Sequence, residues 1–278
     1  GATLDEIKDT MKDLGLERAM SYGWPNTYVF TKAMGEMLVE KWRGTMSVAV
    51  VRPTIVTSTY REPFPGWVEG MRTIDSLTVW YGKGRLTCFL GDLDANIDLI
   101  PADMVVNTML VIMASHAKQP HAMIYHVGSS ARNPLNFRRL WRIAYSYFTM
   151  NPWSKDGKPV IVKKITVLGS MVAFHIYIAI RFVILLKGLE LAKSMFCGCF
   201  EKSYDDLKRK IRFVKKIAEL YRPYVFCNRI FDDTNTEKVR VATRYKLEEE
   251  AVSFDPKDIN WEEYLLKSHG PGVVKYVF

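Results

Sequence analysis

The sequence predicts an α/β fold: the C-terminal half of a doubly wound Rossmann-type domain, followed by a mainly helical C-terminal domain. Three observations carry that expectation. Near the N-terminus a helical stretch feeds the short apolar run Ser47-Val48-Ala49-Val50-Val51-Arg52, stopped by Pro53, and helix before buried strand is the repeating unit of a parallel sheet. The same alternation returns between Ile97 and Val127. Past about residue 150 the strand signals give way to long helical patterns.

Taken in order, a charged helix is expected from Leu4 to Glu17, with apolar positions at Ile7, Met11 and Leu14. Gly23-Trp24-Pro25-Asn26 breaks it. A second helix runs from about Tyr28 to Trp42 and ends before Gly44, and its Gly35 would allow close packing against a neighbour. The run from Ser47 to Pro53 is β-branched and unalternating, which predicts a parallel strand buried on both faces. Residues 57–90 read as loop-rich, with Pro63, Pro65, Gly66, Gly82 and Gly84.

A strand from Ile97 to Ile100 leads into Pro101, which starts a helix through Ala114. Proline suits a first turn, where its missing N–H costs nothing, and Asp103 lies near the positive end of that helix dipole. Another strand, Met123 to Val127, precedes the turn Gly128-Ser129-Ser130. These elements complete what looks like the second half of a doubly wound sheet, in a first domain of residues 1–150.

Residues 151–200 hold an apolar segment, Ile165 to Leu186, interrupted by His175 and Arg181 and flanked by Lys163, Lys164 and Lys187. It is just long enough to cross a bilayer, although a charge inside the membrane is costly. Crossing, lying at the interface, packing around an apolar ligand and an ordinary core helix all remain open. Within the final part, 201–278, a basic helix is expected over about 202–221, with Leu207, Ile211, Val214 and Ala218 on one stripe. Its charged face is either simply solvated or meets lipid headgroups or the phosphates of a ligand.

Composition narrows the function. Hydrophobic residues at 48% and charged residues at 25% describe a globular chain rather than a disordered one. The net charge of +9 is spread out, apart from the stretch 202–216 with its seven Lys/Arg and two Asp. No nucleic-acid recognition motif accompanies it, so nucleic acid is not expected as a partner; an anionic membrane surface or a phosphorylated substrate fits better. Cys88, Cys197, Cys199 and Cys227 lack the paired spacing of a zinc site, and His116, His121 and His126 fit no single metal-binding face. Reduced thiols in a cytosol-facing protein are expected, with no metal.

The chemistry is expected at Tyr28-Val29-Phe30-Thr31-Lys32. Positions i and i+4 share a helix face, so a phenol and an ammonium can converge there. Hydride addition to a carbonyl leaves an oxyanion that a nearby acid must protonate. A cation about 4 Å from the phenolate favours its ionised form, making the phenol a usable acid near neutral pH. With 14 tyrosines and 22 lysines in 278 residues, chance alone gives about one such pair. The chain has two, the other being Tyr204 with Lys208. Context favours Tyr28, which opens a helix leading to a strand that ends in Arg52-Pro53.

Tyr28 to Lys32, followed by Val51-Arg52-Pro53-Thr54-Ile55-Val56, resembles the extended short-chain dehydrogenase/reductases. The longer segment Tyr22 to Glu36 is similar to the active-site segment of plant-type alcohol-forming fatty acyl-CoA reductases. Ile100 to Asn107 and Tyr125 to Ser130 resemble further segments of that family. Phe231 to Lys238 and Trp261 to Tyr264 resemble its male-sterility-type C-terminal domain. The resemblance covers nearly the whole chain.

It implies reduction of a long-chain or very-long-chain acyl-CoA through the aldehyde to the primary alcohol, with NADPH. By the same resemblance Tyr28 is the proton donor, Lys32 tunes it and holds the nicotinamide ribose, and Pro53, Thr54, Ile55 and Val56 line the nicotinamide pocket. It also implies the cytosolic face of the endoplasmic reticulum, or else a plastid. No G-x-G-x-x-G occurs, and only 27 residues precede Tyr28, whereas a dinucleotide fold places its phosphate loop after the first strand. The expectation is therefore a chain cut off before that loop. The alternative is a short, inactive paralogue that binds acyl chains or membrane.

Overall fold

The computed structural model describes residues 3–116, 122–195, 201–226, 229–243 and 252–277. In chain order its elements begin with α1 (Leu4–Ser21), α2 (Thr27–Trp42), β1 (Val48–Pro53), β2 (Ile55–Thr57), α3 (Thr73–Gly82), β3 (Cys88–Leu90) and β4 (Leu99–Pro101). There follow α4 (Ala102–His116), β5 (Ala122–Val127), α5 (Phe137–Met150), β6 (Ser154–Lys155), β7 (Lys158–Pro159) and β8 (Thr166–Leu168). The remainder is helical: α6 (Met171–Ile178), α7 (Ile184–Met195), α8 (Glu201–Val225), α9 (Thr234–Thr243), α10 (Trp261–Glu263) and α11 (Gly270–Tyr276). One π turn, Ala179–Val183, joins α6 to α7, and another, Tyr264–His269, joins α10 to α11. This is the expected α/β order with a mainly helical end. Cys197, Cys199, Cys227 and His121 lie outside the described residues.

The chain forms two compact units, Gly1–Val51 with Ile112–Tyr125, and Arg52–Val111 with His126–Phe278. In the first, a capping box starts α1: the Thr3 hydroxyl accepts from the Glu6 N–H, and the Glu6 carboxylate accepts from the Thr3 N–H at 2.7 Å. Asn26 caps α2 by accepting from the Val29 N–H at 2.9 Å. Gly15 lets the two helices approach, because a Cβ there would sit 3.2 Å from Thr27 Cγ2.

Two expectations fail in this unit. The strand β1 is not buried on both faces, since none of its residues is fully buried; among the described residues β5 is its one partner strand. At Gly35, nothing described lies within 4 Å of where a Cβ would be, so it mediates no close packing.

In the second unit β2 runs parallel to β4, with Ile55 opposite Leu99 and Thr57 opposite Pro101. Strand β3 runs parallel to β8, pairing Cys88 with Thr166 and Leu90 with Leu168. Helix α5 is capped by Asn136 and buries Leu140, Trp141, Ile143, Tyr147 and Phe148. Its Trp141 ring meets Phe89 edge-on at 5.6 Å, and Phe148 meets Tyr81 at 6.1 Å. Gly82 gives that ring room, because a Cβ would come within 2.4 Å of it. At the hairpin between β6 and β7, Asp156 and Gly157 both take positive φ, 52° and 75°, as a primed turn requires.

The loop-rich stretch 57–90 also holds α3 and β3. Thr73-Ile74-Asp75-Ser76-Leu77-Thr78-Val79 is rich in weak helix formers, and the helix is held by burial of Ile74, Leu77, Val79 and Tyr81. The segment 165–186 is not one helix. Residues 166–168 are strand, and Ser170 starts the helix by accepting from the Ala173 N–H at 3.1 Å. Helix α8 runs four residues beyond the expected Tyr221 and buries Ile211, Val214, Ile217 and Ala218.

Candidate functional site

In the first unit, the cap at Asn26 fixes the start of α2, and Phe30 stacks on Tyr22 with centroids 5.5 Å apart. One turn of helix then brings Lys32 over the Tyr28 ring, its Nζ 5.9 Å from the centroid. Both side chains are exposed, Tyr28 by 65%. The structure thus presents a phenol and an ammonium together on an open face. In water their coupling is weak, and it strengthens several-fold once a bound substrate excludes solvent. Tyr204 and Lys208 on α8 adopt the same arrangement, with Nζ 5.5 Å from the ring, so helical spacing alone produces the pair and does not single out a site.

Pro53, Thr54, Ile55 and Val56 belong to the second unit, at the end of β1 and in β2. Asp98 holds this segment. It accepts from the Thr54 hydroxyl at 3.1 Å, from the Ser129 and Ser130 amides at 2.7 and 3.3 Å, and from both serine hydroxyls. The Thr54 N–H donates to the Val127 carbonyl at 2.9 Å, and the Ile55 N–H to the Asp98 carbonyl at 3.1 Å. Gly128 is required by this crossing, since a Cβ would lie 2.7 Å from Thr54 Cγ2 and 2.8 Å from Asp98 Oδ1. Sequence reading missed Asp98, which looks like one polar residue in an apolar strand.

A second acidic anchor is Asp103, at the first turn of α4. Its carboxylate accepts the backbone amides of Tyr60, Arg61 and Glu62 at 2.8, 2.7 and 3.1 Å. Beside it the Tyr264 hydroxyl donates to the Ser58 carbonyl at 2.6 Å and lies 2.8 Å from the Thr57 hydroxyl. Burial pushes that phenol well above the usual tyrosine range. His269 Nδ1 lies 3.1 Å from Ser58 Oγ. Tyr264 and His269 are buried, and their polar contacts tie the C-terminal helices to the segment after β2.

The segments that resemble the male-sterility-type domain wrap the turn after β5. Arg132 donates two parallel hydrogen bonds of 2.9 Å to Asp233 and lies 3.6 Å from Glu237. Asp233 raises the guanidinium above its usual range. The Thr236 hydroxyl donates to the His126 carbonyl at 2.6 Å, and the Trp261 indole N–H donates to the Asn133 carbonyl at 3.0 Å.

An NAD-binding family model described as male sterility protein matches residues 2–109. A second model of the same description matches residues 179–278. The chain is 52% identical over 281 aligned residues to the alcohol-forming fatty acyl-CoA reductase of Simmondsia chinensis, covering 100% of this chain and 57% of that protein. Along its whole length the chain is similar to fatty acyl-CoA reductases. It is also 46% identical to fatty acyl-CoA reductase 1 of Arabidopsis thaliana, with 98% of this chain and 56% of that protein covered. Fatty acyl-CoA reductase 2 of Homo sapiens is 28% identical, with 91% and 48% covered. The chain therefore spans about half the length of these relatives.

Because the first match is to an NAD-binding model, residues 2–109 are part of a domain for a nicotinamide dinucleotide. The residues present fit that group at one end. The exposed Tyr28 hydroxyl and Lys32 ammonium are donors suited to a ribose, while no glycine-rich phosphate motif occurs in the 278 residues.

Proposed function

We propose that these residues carry the reductive chemistry of an enzyme that converts long-chain or very-long-chain acyl-CoA to primary alcohol, using NADPH. The observation supporting it most is the Tyr28–Lys32 pair, presented on α2 inside the NAD-binding match. NADPH, when bound, would supply one hydride to the thioester carbonyl carbon, the CoA thiolate leaving as the aldehyde forms, and a second NADPH would supply the hydride that turns the aldehyde into the alkoxide. Tyr28 gives its hydroxyl proton to that alkoxide oxygen. Lys32 stabilises the tyrosinate left behind and donates to the nicotinamide ribose. Pro53, Thr54, Ile55 and Val56 line the nicotinamide, kept in register by Asp98.

The product belongs to lipid and wax metabolism, and the site of work is the cytosolic face of the endoplasmic reticulum, a plastid membrane being the other assignment. Support for membrane association comes from Met171–Leu191, a helical stretch of 21 residues with mean hydropathy 1.9, long and apolar enough to cross a membrane. The basic helix α8 follows it in sequence.

The test joins this chain to the part of the Simmondsia chinensis relative that it does not cover. The joined protein is given a long-chain acyl-CoA with NADPH or NADH. The expected result is primary alcohol with NADPH, two equivalents being oxidised per alcohol. Aldehyde as the sole end product, or an equal rate with NADH, contradicts the proposal.

A further inference from the structure

Along α6, the π turn and α7, Val172, Ile176, Ile180 and Ile184 are all exposed, between 54% and 69%. A strict period of four drifts by about 40° per step around an α-helix. The π turn at Ala179–Val183 takes in extra residues midway and so counters the drift, keeping the four on one stripe. The opposite side of α6 is fixed: Phe174 and Ile178 are each only 1% exposed, and α6 continues from β8, which is paired to β3 in the core. Cations border the stripe. Arg181 lies about 100° round from Ile180 and Lys187 about 60° the other way from Ile184, and both are exposed. On α8, packed against α7, Lys208, Arg209, Arg212 and Lys216 are exposed too.

We infer that this stripe is a membrane-docking surface: the helix 171–191 lies in the plane of an anionic bilayer, with Val172, Ile176, Ile180 and Ile184 among the acyl chains, and does not cross it. A crossing helix would meet lipid all round, which requires Phe174 and Ile178 to leave the core. An in-plane helix needs one apolar side only. Arg181 then reaches the headgroups with its long stem rather than sitting in the hydrocarbon. The cations on its flanks and on α8 make the preferred surface an anionic one.

The inference rests on the membrane part of the proposed function, not on its chemistry, and its test measures no turnover. The chain is floated with phosphatidylcholine vesicles, with and without phosphatidylserine. Expected is flotation that rises with phosphatidylserine, falls at least tenfold when all four stripe residues become Ser, and depends less on phosphatidylserine in Arg181→Gln/Lys187→Gln. Circular dichroism checks that the Ser variant remains folded. If it does not, depth decides. Trp placed in turn at Val172, Ile180 and Leu191 is quenched equally by lipids brominated near the headgroup if the helix lies flat. A protein that ignores both kinds of vesicle, a folded Ser variant that floats like the parent, or a Trp at position 180 quenched only by deeply brominated lipid overturns the inference. The first outcome also removes the membrane part of the proposal, and the other two leave it standing.

Discussion

Asp75 Oδ1 faces His269 Nε2 at 3.5 Å inside the second unit, and neither atom has a hydrogen-bond partner elsewhere among the described residues. Burial moves the two groups in opposite directions. It pushes the Asp75 carboxyl up from 3.8 to about 6, against the pull of the Arg72 amide and charge, and His269 down from 6.5 to about 4. At neutral pH the fold therefore holds a neutral imidazole beside a carboxylate whose charge burial disfavours.

The consequence is a cancellation that single substitutions expose. His269 contributes stability that is full above pH 6.5 and lost as pH falls toward 4. Asp75 contributes stability that is full below pH 3.8 and lost as pH rises through 6. Between pH 6.5 and 4 the two trends oppose each other. Asp75→Asn leaves only the histidine trend, so acidification over that window costs the variant up to about 3 kcal/mol more than the parent. His269→Gln reverses the sign. Urea unfolding at several pH values measures both, and parallel curves for parent and Asp75→Asn contradict the assignment.

Gly272 lies where a Cβ would come within 1.9 Å of the Gly66 carbonyl oxygen, and Gly66 itself has φ 82° with the Ser268 carbonyl 2.4 Å from its own Cβ position. Neither neighbour is a side chain that can swing away. Gly272→Ala is expected to cost about 3 kcal/mol or more. Gly35→Ala, in open space on α2, is expected to stabilise by up to about 1 kcal/mol. Thermal melts of the two variants should move in opposite directions.

Removing Asp98 leaves the Thr54, Ser129 and Ser130 donors without their shared acceptor. Asp98→Ala should cost about 2–4 kcal/mol in denaturant, with Asp98→Asn intermediate. Amide exchange at Ser129 and Ser130 should accelerate in the same order. Unchanged exchange there means that Asp98 does not hold the turn.

These residues also show what could be read from the chain alone. Helices α1, α2 and α8 announce themselves through period and caps, and Tyr28 with Lys32 through i,i+4 spacing. Helix α3 does not, because its residues are poor helix formers and tertiary burial decides its state. Asp98 and Thr54 are 44 residues apart and meet only through the strand pairing of β2 with β4, so no local pattern marks them. The same holds for Asp75 and His269, whose meeting depends on the π turn before α11. Pattern locates elements, whereas the polar contacts between them come from the fold.

The 278 residues alone should bind NADPH weakly, since they offer no glycine-rich motif whose backbone amides and helix N-terminus would take the pyrophosphate. Calorimetry on the chain is expected to show dissociation well above the low-micromolar range. Joined to the remaining part of its Simmondsia chinensis relative, it should bind tightly, and Lys32→Ala should weaken that binding.

The most direct measurement is single-turnover alcohol formation by Tyr28→Phe in that joined protein. The substitution removes the proton donor and little else, since Tyr28 is exposed and the ring stays. The role proposed for Tyr28 predicts a loss of at least about a hundredfold in rate, with acyl-CoA binding unchanged and Tyr204→Phe, in the second pair of the same geometry, without effect. Near-parental alcohol formation by Tyr28→Phe contradicts it.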